Sequence, residues 1–413
     1  MIDEISKYIK EIPLYRNLYN KNIEEFDLYS NYWKYPMLER KDIVNNFPNN
    51  WVTEQVKLAI NNNILEYNTS SGTTSDRIQI FRKHNWWAEE NLRTYQLNDK
   101  LKKFKNGKKA VLTTAICSNT ACYINIPSIK DRIIKNTLYL NISSNPNTWD
   151  KNDVERMIEE INNFKPAILD VDPIYMAILM KKKNIFGIKT QIFKPQIITY
   201  CYEYVTGYSR KFIEKYFNFV PTIIIYGSTE CGYNLFENED HSFKRVHDRC
   251  FINFLPLKNN IYSVKITSWK NEYMPFINYR IGDLVRISED YKDKIIEDNN
   301  CDEITIEQVC GREKDISFSY KNEIITIGDI DCTLAKLNND ILIYQLKFLS
   351  NMICQFRYTT ITNDYLSEQQ EKDVIEAIKS LYGNELNIKF IFEKTINPET
   401  SGKFTIIKKS SHL

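Results

Sequence analysis

The run Thr222 to Tyr226, TIIIY, passes directly into Gly227 and Ser228. A short apolar run rich in β-branched residues and closed by a glycine turn predicts a buried strand. Strand and helix signals alternate around it, which predicts an α/β fold with a ligand site at this strand's tip. The spacing of apolar residues predicts helices over 85–104 (NWWAEENLRTYQLNDKLKKF), 152–163 (NDVERMIEEINN) and 367–381 (SEQQEKDVIEAIKSL). IYSVKIT at 261–267 and INYRIGDLVRI at 277–287 read as strand-turn-strand, and NIKFIF at 387–392 as a late strand.

A chain of 413 residues is too long for one core. The pattern restarts after Gly311, so the expected division is a large domain over 1–310 and a small α+β domain over 311–413. Hydrophobic residues make up 43% of the sequence, which predicts a packed protein. A net charge of +2 gives no reason to expect a nucleic acid or a membrane surface as partner. The opening MIDEISKYIKEIP lacks an apolar core, and no run approaches the roughly 20 residues needed to span a bilayer. Nine cysteines without a CxxC pair fit free thiols in a reducing compartment. A soluble, cytoplasmic protein is expected.

Five segments carry chemistry. YNTSSGTTSD at 67–76 crowds hydroxyls around one glycine, as a loop wrapping a phosphate would. YGSTECG at 226–232 presents Thr229 and Glu230 just past the buried strand; a carboxylate there suits a hard cation. YRIGDLVRI at 279–287 places Asp283 at a turn, where it can accept from both hydroxyls of a ribose, with Arg286 within reach of phosphate. CGREKDIS at 310–317 and NPETSGKFT at 397–405 complete the set. Singly, each has a plain reading as a polar loop, a capped turn, an Asp hairpin or a solvated lysine.

Taken in order, SSGTT, YGSTE, YRIGDL, GREKD and PETSGK resemble the signature of the adenylate-forming (ANL) superfamily. That superfamily includes acyl-CoA ligases, luciferases and peptide-synthetase adenylation domains. PLYRNLY at 13–19 and YPMLERKDI at 35–43 look like its compact branch, which holds phenylacetate-CoA ligases and CapK-like adenylating enzymes. The resemblance implies a large domain of mixed sheets and helices with a small, mobile C-terminal domain.

It also implies roles. Ser70, Ser71, Gly72, Thr73 and Thr74 would grip the β- and γ-phosphates of ATP. The family's loop lysine is missing after them, where Ser75, Asp76 and Arg77 stand, and Arg77 or Arg82 would compensate. Tyr226, Gly227 and Ser228 would line the nucleotide, Thr229 would hold the α-phosphate and Glu230 a Mg²⁺ ion. Asp283 would fix the ribose, with Arg286 and Arg312 nearby. Lys403 would neutralise charge in the adenylating step and then leave as the small domain turns about Asp315. The family pattern has an Asp where Lys314 stands. Compact members often carry a Cys/His cluster; here only His241, His247 and Cys250 remain, without a CxC, and zinc is not expected.

The acyl pocket implied by the resemblance draws on Ala115, Cys117, Ser118, Tyr200, Tyr202 and Gly227. Small residues and tyrosines there favour a small aryl acid, with a short aliphatic acid close behind. The acceptor would be a phosphopantetheine thiol, on coenzyme A or a carrier protein; an amine, alcohol or cofactor is the alternative.

Overall fold

The computed structural model describes residues 2–19, 36–70, 77–118, 127–246, 248–297, 304–350 and 352–410. It divides into two compact units, Met1–Lys105 with Tyr226–Val309, and Asn106–Ile225 with Cys310–Leu413.

In the first unit, the strands Leu65–Thr69 and Gln79–Lys83 pair antiparallel, with Thr69 opposite Gln79. The hydroxyl-rich loop therefore joins the two arms of a hairpin. A meander of Cys250–Lys258, Ile261–Ser268 and Phe276–Ile287 supplies the sheet that backs the site. Under it, Tyr15, Trp51 and Phe276 are buried with ring centres 5.6 Å apart at each step, Tyr15 edge to face on Trp51 and Phe276 tilted against it. The helix expected over 85–104 runs only from Trp86 to Gln96. The Asn98 carboxamide accepts from the Lys100 and Leu101 amides, an alternative to helical bonding that stops the helix there.

The 277–287 segment is one strand rather than strand-turn-strand. Its pairing jumps from Lys265↔Arg280 to Ser263↔Leu284, so the Ile281–Asp283 stretch bulges out of the ladder. The IGD sequence is a bulge, and it turns Asp283 away from the strand pairing.

The second unit has a parallel sheet. Thr137–Tyr139, Lys109–Leu112, Ile168–Val171 and Ile197–Tyr200 lie side by side, and Ile198–Tyr200 pairs onward with Thr222–Ile224. The central strands Ile168–Val171 and Ile197–Tyr200 are buried along their lengths, as crossover helices on both faces require. The helix Lys151–Phe164 starts with a capping box from Asp150 and Asp153. The helix Pro173–Ile185 starts at Asp172, whose Oδ1 accepts from the Ile174 and Tyr175 amides ahead of a proline at the first turn.

The chain's last hundred residues form a four-stranded sheet, in the order Asn387–Phe392, Ile353–Thr360, Ile341–Ser350, Ile407–Lys409. Helices Ile327–Leu334 and Glu368–Tyr382 cover it, and Tyr344, Phe356, Tyr358 and Val374 fill the space between. The α/β class and the late α+β module are as the sequence predicts. No helix among the described residues is long and apolar enough to cross a membrane.

Candidate active site

The predicted residues gather into two groups, one in each unit. In the first unit the strand Thr222–Ser228 turns through Thr229, Glu230 and Cys231 into Gly232–Glu237. The Cys231 amide donates to the Ser228 hydroxyl, which closes the turn. A side chain at Gly227 would collide with the backbone of Gly232 and Tyr233, so only glycine lets the two strands approach this closely. Tyr226 donates its hydroxyl to Oδ2 of Asp283 at 2.6 Å, which ties the strand tip to the bulge across 57 residues. Glu230 is buried and accepts from the Tyr279 hydroxyl at 3.2 Å. Burial and the neighbouring Glu230 charge push the Tyr279 hydroxyl well up, so it stays a donor, while Arg40 partly counters the shift.

Arg40 and Tyr279 were not predicted to belong here. Leu38 bridges to Tyr279 in parallel and exchanges backbone bonds with Asn278 and Arg280, which carries Arg40 to this corner. Arg40 donates to Ser70 Oγ at 3.1 Å, and the Ile78 amide donates to the same oxygen at 2.9 Å. The Ser70 hydroxyl thus anchors the neck of the loop and keeps its own O–H as a donor. Ser71, Gly72, Thr73 and Thr74 lie outside the described residues. Arg82 is committed to Glu66 at 2.8 Å and sits 5.8 Å from the Trp86 and Trp87 ring centres. Arg286 donates to the Asn259 carbonyl at 3.4 Å.

His241 lies 2.9 Å from Glu237, and the buried Cys250 thiol donates to Asn234; His247 lies outside the described residues. Among the described residues no group of three His, Cys, Asp or Glu side chains is arranged to hold a metal. At this turn the buried Glu230 offers one hard oxygen ligand, which fits a cation that takes its other ligands from phosphate and water.

In the second unit, Lys403 sits in a tight turn closed by Glu399 N to Lys403 O and Gly402 N to Glu399 O. Its ammonium donates to the Tyr202 carbonyl at 2.9 Å. The Phe404 amide donates to Glu203 Oε1 at 2.6 Å, and Tyr175 donates to the Gly402 carbonyl at 2.8 Å. Gly402 has φ +81°, and a Cβ there would overlap Thr114, so this turn needs glycine for both conformation and space.

Two buried carboxyls that the sequence did not single out belong to the same region: Glu203 accepts from the Phe404 amide, and Asp172 caps the helix that carries Tyr175. Asp172 is fully buried, and burial raises its pKa to about 7 although Lys403 pulls it down. Burial and the Asp172 charge push the Glu203 carboxyl well up, against Lys403, the Phe404 amide and Arg312. The signal for Asp172 in the sequence was Asp before Pro, which marks a helix cap and nothing more.

Of the expected pocket residues, Ala115 is buried at the head of the short helix Ala115–Ser118, to which Cys117 and Ser118 also belong. Tyr200 is buried at a strand end. Tyr202 has φ +78° and donates to Asp170, a buried carboxylate that also takes Thr199 and Lys109. Arg312 closes the strand Ile306–Arg312, and Asp315 follows in a short 3₁₀ turn.

No family profile matches the chain. Protein CapK of Staphylococcus aureus is 24% identical over 261 residues, which is 62% of this chain and 55% of CapK; the match thus spans little more than half of that relative. Among solved structures, 2-hydroxyisobutyryl-CoA ligase in the postadenylation state with R3-HIB-AMP superposes on 100% of this chain and 88% of its own. Its TM-score is 0.70 at 13% identity. The anthranilate CoA ligase AuaEII with anthranoyl-AMP gives a TM-score of 0.53 at 12% identity, over 82% of this chain and 65% of its own. The amide bond synthetase McbA from Marinactinospora thermotolerans gives 0.52 at 10% identity, over 82% and 66%. The chain has the fold of these adenylating enzymes, the superfamily its motif order resembles.

Proposed function

We propose that this chain, built on the fold of the adenylate-forming superfamily, activates a small carboxylic acid with ATP and passes the acyl group to a phosphopantetheine thiol. The observation that carries the reading is the first unit's corner. There Tyr226–Asp283 and Tyr279–Glu230 bind the strand tip to the bulge, with Arg40 joining the neck of the hydroxyl loop to the same place.

In the first step the substrate carboxylate attacks the α-phosphorus of ATP and pyrophosphate leaves. Both partners are anionic, so alignment and charge neutralisation must supply most of the acceleration. Asp283, held by Tyr226, accepts from the ribose hydroxyls. Thr229 donates to the α-phosphate, and Ser70 to Thr74 surround the leaving pyrophosphate. Glu230 would hold Mg²⁺, which offsets phosphate charge when bound. Lys403 neutralises the carboxylate and the α-phosphate as they meet. In the second step a thiolate attacks the acyl carbon and AMP leaves. Between the steps, a small domain over 311–413 would turn about Asp315 and withdraw Lys403. Arg286 and Arg312 would attend the ribose and phosphates. ATP and coenzyme A together point to the cytoplasm as its place of work.

Ala115, Cys117, Ser118, Tyr200 and Tyr202 would line the acyl pocket beside Gly227, and a small aryl acid is the favoured substrate. The likeness to both a coenzyme A ligase and an amide bond synthetase supports a second reading, in which an amine takes the acyl group. Mass spectrometry of reactions offered ATP, an acid and either coenzyme A, holo-carrier protein or an amine decides between them. Thioester with AMP release is expected; amide without thioester would establish the second reading. Failure of hydroxylamine to trap any acyl group would end both.

A further inference from the structure

Taking Lys403 as the lysine of the adenylating step, as proposed above, we propose that Tyr202 and Asp170 are positioning residues for it. Asp170 grips the Tyr202 hydroxyl, the grip keeps a strained turn closed, and that turn aims its carbonyl at the Lys403 ammonium.

The turn lies where the strand Ile197–Tyr200 ends. The Cys201 amide still donates to the Val171 carbonyl, so the sheet fixes the chain up to that point. The Glu203 amide then donates back to the Cys201 carbonyl at 3.0 Å, across Tyr202, whose φ is +78°. A bond between residues i and i+2 about a positive φ marks the rare and strained form of γ-turn. Among the described residues, asparagine is the commonest residue besides glycine at positive φ, and its short polar side chain tolerates that region. A tyrosine has no such ease, so neighbouring contacts must offset the strain.

Those contacts stand on both sides of the turn. On one side the Tyr202 hydroxyl donates to Asp170 Oδ2 at 3.0 Å. Asp170 is buried, accepts from the Thr199 hydroxyl at 2.8 Å and faces the Lys109 ammonium at 3.5 Å, so its carboxylate is fixed in place. A hydroxyl bonded to a carboxylate is held more strongly than one bonded to a neutral acceptor. On the other side the Tyr202 carbonyl accepts from Lys403 Nζ at 2.9 Å, and Oε1 of the next residue, Glu203, accepts from the Phe404 amide at 2.6 Å. Two successive residues of the γ-turn thus take two successive residues of the lysine's own turn. The chain reversal at Tyr202 brings both acceptors to that side.

The consequence is an inverted order of variants. Tyr202→Phe keeps the ring but loses the grip of Asp170. Tyr202→Gly loses the ring but takes a positive φ without strain, so its carbonyl stays aimed at the lysine. A ring that merely packs would give the opposite order.

Trace acetylation of the full chain without ATP or acid measures how tightly the Lys403 amine is held, with each lysine read by peptide mass spectrometry and normalised to its labelling in denaturant. Lys403 labelling is expected to rise about fivefold in Y202F, the weight of one ordinary hydrogen bond. It should rise less in Asp170→Asn, where a neutral amide replaces the carboxylate, and stay near the parent's in Y202G. Equal labelling in the parent and Y202F would overturn the proposal, as would labelling in Y202G at or above that in Y202F. Should D170N fail to fold, since Thr199 and Lys109 also depend on it, the two Tyr202 variants decide. No nucleotide is involved, so the result stands apart from whether the chain adenylates any acid. In acid-dependent ATP–pyrophosphate exchange, Y202F should lower kcat about fivefold and leave KM for ATP unchanged. A rise in KM with kcat unchanged would overturn the positioning role.

Discussion

The corner at Tyr226 and the slot at Lys403 are held by different physics. At the corner, side-chain hydrogen bonds tie strand, bulge, turn and helix together: Tyr226 to Asp283, Tyr279 to Glu230, Arg40 to Ser70. Tyr226 and Tyr279 sit on strands, and Arg40 opens the helix Arg40–Asn46 just after the Leu38 bridge, so the geometry exists before any ligand arrives. At the slot, a turn of the chain's last segment rests on the Tyr202 and Glu203 acceptors and on the Tyr175 hydroxyl. The first arrangement suits groups that stay on a nucleotide through the whole cycle. The second rests on a few contacts that a departing turn can release and a returning one remake. Variants at the corner should therefore weaken nucleotide binding, and variants at the slot should change the chemical step.

Lys403→Ala is the largest expected break. A contact made in the transition state should be worth roughly 100-fold or more in the adenylating half-reaction. Thioester formation from pre-made acyl-adenylate should fall far less. Equal losses in the two half-reactions would remove the distinction between slot and corner.

Asp283→Ala should act on the other side. Loss of charge-assisted ribose contacts, at about 2 kcal/mol, predicts a fall of about 30-fold in kcat/KM for ATP.

Asp172→Asn sharpens the contrast through stability. The folded state holds the Asp172 proton up to about pH 7, while the unfolded chain releases it near 3.8. A raised acid pKa makes folding progressively less favourable as pH climbs from about 4 to 7, after which the cost is constant. The variant should therefore match the parent near pH 4 and gain up to about 4 kcal/mol at pH 8, read by denaturant unfolding. A variant equally destabilised at both pH values would show Asp172 to be an ordinary structural cap.

Tyr226→Phe is the mildest. It removes one hydrogen bond to Asp283 but keeps the ring. About 1 kcal/mol, or a fivefold rise in KM for ATP with kcat nearly unchanged, is expected.

The corner was largely legible in the sequence, and the slot only in part. TIIIYGSTE announces a buried strand, a glycine turn and a carboxylate in one phrase, because local patterning and function coincide there. Asp283 is legible too, but a glycine between apolar residues fits a turn and a bulge equally, and only the partner strand decides for the bulge at 281–283. Arg40 and Tyr279 were quoted within motifs without a role, since the Leu38 bridge that unites them spans 241 positions of sequence. Lys403 stood out through its Ser-Gly-Lys turn. Asp172 and Glu203 did not, because a carboxyl's burial depends on which segments fold over it, and no local pattern encodes that. Tyr202, read as a pocket wall, spends its hydroxyl on Asp170.

The most direct test is acid-dependent ATP–pyrophosphate exchange, run over aryl, aliphatic and amino acids with the parent chain, Glu230→Gln and Lys403→Ala. Label should enter ATP with at least one small carboxylic acid, and should fall at least about 100-fold in both variants. Exchange that survives both substitutions, or that no acid elicits from the parent, would contradict an adenylating site built on this strand tip and this lysine.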